Sequence, residues 1–95
     1  MKSLKPEELE SLLRHSPIIV DVRPATRFAA GSLEGAVNIS MDDIKRGKHQ
    51  LPKDRPILLV CERGIQSELA GLYLEADGYN QVWNFEGGLN ALNKP

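Results

Sequence analysis

Two stretches of this chain are apolar at nearly every position and begin directly after a proline. They are IIVDV at 18–22, between Pro17 and Pro24, and ILLVC at 57–61, directly after Pro56. Neither alternates apolar and polar side chains, as a strand with one wet face does. Both have the length of strands rather than of helices. A strand that is apolar on both sides has both faces covered. That is the signature of a parallel sheet with helices packed on either side.

The segments between and around these runs supply the helices. KPEELESLLRH places Pro6 at a first helical position, Glu7 and Glu8 in the first turn, and Leu9, Leu12 and Leu13 on one face. ATRFAAG reads as a short helix stopped by Gly31. GAVNIS reads as a short strand, and MDDIKRG as one or two helical turns ending near Gly47. IQSELAGLYLEADG is the longest helical pattern, with Ile65, Leu69, Leu72 and Ala76 forming its apolar stripe. NQVWNFEGG is a last strand, with Trp83 and Phe85 sharing one face as core residues, and GLNAL a last short helix that Glu86 caps. Alternating strands and helices predict an α/β fold, and 95 residues predict one domain over 1–95.

Composition excludes several classes of function. Twelve basic against 13 acidic residues leave a net charge of −1, which argues against bulk attraction to nucleic acid or to an anionic membrane. No apolar run approaches a membrane span. The acidic, helical start lacks the apolar core of a signal peptide, and one cysteine makes no internal disulfide. The expected location is cytoplasmic. His15 and His49 belong to no ligand-spaced cluster, so no metal site is expected. Asp42 and Asp43 suit a helix N-terminus rather than paired acid–base catalysis.

In parallel sheets of this kind ligands bind beyond the carboxyl ends of the strands. Asp21–Arg23, Cys61–Gln66 and Glu86–Gly88 all fall at that edge. The chain's only thiol stands in the segment CERGIQS, between a strand end and a helix start. Gly64 permits a tight turn, and the first amides of a helix lack backbone partners. Inward amides and a helix N-terminus make an anion nest that favours thiolate over thiol, and Arg63 adds positive charge. Such a loop suits a nucleophile that meets an anionic substrate. The alternative is that Cys61 is a small buried hydrophobe. Phosphatase chemistry needs an arginine after five intervening residues to clamp phosphate, and that position is Ser67.

Taken together, these segments resemble the rhodanese family of sulfurtransferases over nearly the whole chain. IIVDVRPATRFAAGSLEGAVNIS is similar to the family's signature of a strand ending in D-x-R, followed by G-H-I-x-G-A-x-N-I. CERGIQS is similar to its active loop, C-x-x-G-x-R or C-x-x-G-x-[ST], and NFEGGLNAL to its closing G-G-[FMLI]-x-A-W. The resemblance implies a five-stranded, mostly parallel sheet flanked by helices, with a short first strand near Lys2–Leu4. It implies that Cys61 takes up a sulfane sulfur as a persulfide and passes it to cyanide or a thiol, without a cofactor. The partners implied are a small sulfur-donor anion, a cyanide or thiol acceptor, and a sulfur-accepting protein in relay members.

The amides of Glu62, Arg63, Gly64, Ile65 and Gln66 would then stabilise the thiolate and persulfide, and Asp21 and Arg23 would support the loop. Basic residues at Arg27 and Arg63 match those of thiosulfate-using members. The plainer alternative is that both are surface charges paired with Glu62 or Asp42. The chain departs from the family at Ser32, where His is common, and at Leu92, where Trp is common. It departs again at Gln66, where arginine or a hydroxyl residue is common. Altered packing is expected at the first two, and altered turnover rate and substrate preference at the third.

Overall fold

A computed structural model describes residues 1–93. Five strands are present among the described residues: β1 (Lys2–Leu4), β2 (Ile18–Asp21), β3 (Val37–Asn38), β4 (Ile57–Val60) and β5 (Val82–Phe85). Four α-helices lie between them: α1 (Leu9–Leu13), α2 (Ala25–Ala29), α3 (Met41–Arg46) and α4 (Ile65–Ala76). A 3-10 turn at Pro6–Glu8 leads into α1, and another at Leu89–Asn93 follows β5. The strand order is β1-β5-β4-β2-β3, and every pairing is parallel. The expected sheet is thus present, with its first strand at the expected residues.

The two continuous apolar runs sit side by side at the centre, in the register Ile18↔Ile57 to Asp21↔Val60. All four residues of β4 are buried, because both faces of this strand are covered. Ile57 and Leu59 face one core with Ile44 of α3 and Ala70 and Leu74 of α4. Leu58 and Val60 face the other core with Leu12 of α1, and Trp83 and Phe85 join that side. α3 begins on a side-chain cap, Ser40 Oγ accepting from the Asp43 amide at 3.2 Å. Asp42 pairs with Arg46 on the next turn at 3.1 Å, so the adjacent carboxylates are a helix-end feature.

The orientation of α4 corrects one expectation. The stripe Ile65, Leu69, Leu72 and Ala76 faces outward, with the first three 68%, 43% and 52% exposed. The inward face is Ser67, Ala70, Gly71 and Leu74. Both sets have helical spacing. The smaller one wins because that face is crowded against the sheet and the start of the chain: a Cβ on Gly71 would collide with the Met1 side chain and touch Leu59 Cδ1 at 3.4 Å. The last helix also begins later than expected, at Leu89, with Glu86 in the exposed turn before it.

Candidate active site

β4 delivers Cys61 to the carboxyl edge of the sheet, 3% exposed at the base of a cavity of about 590 Å³. The loop turns at Gly64, whose φ of +86° is open to glycine at little cost. The turn brings two amides onto the sulfur. Gly64 donates to Cys61 Sγ at 3.1 Å and Ser67 donates at 3.4 Å. Ser67 Oγ lies 3.2 Å from the same sulfur. Behind them, Ser67 Oγ donates to Asn84 Oδ1 at 2.5 Å, and Asn84 Nδ2 donates to the Gly64 carbonyl at 3.0 Å. Cys61, Ser67 and Asn84 are all buried.

The turn after β5 grips the loop from the other side. Leu89 donates its amide to the Cys61 carbonyl at 2.8 Å, and Asn90 to the Glu62 carbonyl at 3.0 Å. Gly88 makes that approach feasible: a Cβ there would fall 2.4 Å from the Glu62 carbonyl carbon and oxygen.

A third support comes from β2. The Asp21 carboxylate, with no exposure, receives Arg23 Nε at 3.1 and 3.0 Å and Nη2 at 2.8 Å. The Arg23 amide and Ser32 Oγ complete its set at 2.9 and 2.7 Å. Burial works against this charge. The hydrogen bonds from Arg23 and Ser32 and the guanidinium's charge outweigh it, and hold the Asp21 carboxyl below its usual range. Bonding to Asp21, against the cost of burial, and bonding to Glu62 push Arg23 above its own usual value. Arg23 Nη1 reaches Glu62 Oε1 at 3.0 Å, and Nη2 reaches the Gly31 carbonyl at 2.6 Å. One guanidinium thus ties the end of β2, the turn after α2 and the cysteine loop together. Ser32, where a packing change was expected, is part of this network.

The cavity wall is mostly apolar, formed by Val22, Pro24, Met41 and Ile65. Arg23, Ser40, Asp42, Glu62, Arg63 and Gln66 complete the lining. The structure therefore gathers Cys61, Glu62, Arg63, Ile65, Gln66 and Arg23 around one space. Gly64 and Asp21 act from behind the wall. Arg27 is not on the wall: its side chain is 65% exposed and stands 3.7 Å from Glu62 Oε1. Of the amides at 62–66, the one on the sulfur is that of Gly64, and Ser67 just beyond them adds another.

Sequence reasoning passed over Ser67 and Asn84 as site residues. The signal was Asn84 itself, a polar residue inside an apolar strand, where asparagine is disfavoured. Among the described residues, no group of three or more His, Cys, Asp and Glu side chains is placed to hold a metal.

The rhodanese-like domain family matches residues 5–94. The chain belongs to that family. It is 36% identical over 76 residues to the thiosulfate sulfurtransferase GlpE of Shewanella oneidensis, covering 80% of this chain and 75% of that protein. Among solved structures, a rhodanese homolog of Thermus thermophilus is 44% identical with a TM-score of 0.83, covering 95% of this chain and 99% of the other. A rhodanese-like domain protein of Staphylococcus aureus is 36% identical with a TM-score of 0.84, covering 96% and 90%. The human single-domain sulfurtransferase TSTD1, at 22% identity and a TM-score of 0.86, shares the fold; the two coverages are 100% and 98%.

Proposed function

We propose that this chain is a sulfurtransferase that carries a sulfane sulfur on Cys61, with thiosulfate or a similar anion as donor and cyanide or a thiol as acceptor. The observation that carries the reading is the pair of amides, Gly64 and Ser67, aimed at a buried sulfur on the floor of an open cavity. A thiol that was merely core filling would have no need of donors or of the cavity. The name of the Shewanella relative supports thiosulfate as donor.

The Cys61 thiolate attacks the outer sulfur of thiosulfate. A Cys–S–S bond forms, the donor S–S bond breaks, and sulfite leaves with the electron pair. Gly64 and Ser67 stabilise the sulfur anion with fixed dipoles at a nearly buried sulfur. Arg63 on the wall offsets the donor's negative charge. Cyanide or a thiolate then attacks the terminal sulfur, takes it, and returns the Cys61 thiolate. No cofactor enters either step.

Thiocyanate formation from thiosulfate and cyanide tests this. Turnover by the wild type that disappears in Cys61→Ser is the expected result; equal rates in both would overturn it.

A second reading, a persulfide relay to a protein thiol, is favoured by the outward stripe of α4. Ile65 belongs both to the cavity wall and to that stripe, which continues through Leu69 and Leu72. A protein acceptor would find an apolar path leading to the sulfur. Such a relay would load with sulfur but turn over slowly with cyanide. No described helix is long and apolar enough to cross a membrane, and the cytoplasm remains our proposed location.

A further inference from the structure

The buried contacts behind Cys61 fix where one hydroxyl proton goes. The Gly64 carbonyl only accepts, so the Asn84 atom facing it at 3.0 Å is Nδ2. Oδ1 therefore faces Ser67, 2.5 Å from Oγ, and requires a donor. The single Ser67 hydroxyl proton supplies it. What Ser67 Oγ turns toward Cys61 Sγ, 3.2 Å away, is then a lone pair. That lone pair accepts well from a thiol S–H and opposes a thiolate. When Cys61 gives its proton to water, the hydroxyl must either stay with Asn84 or turn to the sulfur. Turning leaves Asn84 Oδ1 buried without a donor, which is costly.

We infer that Asn84 is a positioning residue that holds the Ser67 proton away from Cys61, so that Ser67 and Asn84 act as a two-position proton switch behind the sulfur. In one position Ser67 donates to Asn84 and accepts from the thiol. In the other it donates to the sulfur anion, beside the Gly64 and Ser67 amides. Asn84 stands at the level of Leu59 in the sheet, on the neighbouring strand, and does not line the cavity. The charged groups that line the cavity with the thiol are Arg23 after β2, Asp42 on α3, and Glu62 and Arg63 of the loop. None of them is altered by a change at Asn84. The inference deepens the reading of Cys61 as a nucleophile, and its test needs no sulfur donor.

The measurement is the rate of Cys61 alkylation by iodoacetamide against pH, in the folded protein, followed by intact mass. Asn84→Ala frees the hydroxyl for the sulfur. Its midpoint should fall by about half to one pH unit, the scale of one net hydrogen bond. A purely structural role predicts the opposite, because a loosened loop withdraws amides from the sulfur and raises the midpoint. In a Ser67→Ala background the same Asn84 substitution should leave the midpoint unmoved. Asn84→Leu, closer in volume, carries the same expectation if the alanine variant unfolds. In the unsubstituted protein, the Asn84 side-chain carbonyl carbon resonance should move with the alkylation midpoint, and far less in Ser67→Ala. A midpoint that rises or stays fixed in the Asn84 variants, or a carbonyl resonance that ignores the titration, overturns the switch.

Discussion

Arg23 binds Glu62 at 3.0 Å with the same guanidinium that neutralises the buried Asp21 at 2.8 Å. The cysteine loop is therefore anchored to a charge that has no exposure of its own. Removing the guanidinium leaves that carboxylate without its counter-ion. Arg23→Ala should lose about 3–5 kcal/mol in urea unfolding, the usual result of breaking a buried pair on one side.

The same pair sets an acid limit. The Asp21 carboxyl lies lower in the folded chain than in the unfolded one. Its contribution is complete above the unfolded value of about 3.9 and is lost as pH falls through the folded value. Thermal unfolding across that acid range should show a smaller pH-dependent loss in Asp21→Asn than in the wild type. Equal slopes would remove Asp21 as the source.

Gly88 stands against the Glu62 carbonyl with a φ of +63°. Gly88→Ala should cost at least about 1–3 kcal/mol from backbone strain alone. The added methyl also pushes the loop away, so sulfur transfer should fall by more than the loss of folded protein. Activity normalised to folded fraction by circular dichroism separates the two effects.

The two arginines divide by position. Arg63→Ala should raise KM for thiosulfate roughly tenfold with kcat little changed, as for a group that binds ground state and transition state alike. Arg27→Ala should change KM by less than about threefold, since an exposed charge is screened by salt. Steady-state kinetics with thiosulfate as the varied substrate decides this.

The outward stripe of α4 makes a paired prediction. Leu74, with no exposure, should cost about 2–5 kcal/mol when cut to alanine. Leu72, 52% exposed, should fall within about 0.5 kcal/mol of the wild type. Chemical denaturation of the two variants is sufficient.

The α/β order, the central pair of strands and the placing of Cys61 at a strand end were legible because they depend on short-range patterns. A four-residue apolar strand that starts directly after a proline has few alternatives. The facing of α4 was not legible. Helix–sheet spacing decided it, and hydropathy counts Ser67 and Gly71 as poor core residues. Arg27 and Arg63 look equivalent in the sequence. The Glu62 side chain separates them, since it recruits Arg27 while Arg63 lines the cavity. Ser67 and Asn84 lie 17 positions apart, and only the α4–β5 contact makes them one group.

The reading of Cys61 as a sulfur carrier is most directly tested by intact mass after exposure to thiosulfate, with peptide mapping. The expected product is one added sulfur atom, located on Cys61, removed by cyanide with release of an equal amount of thiocyanate. An unchanged mass with thiosulfate and with an organic persulfide donor, in folded protein, would contradict it.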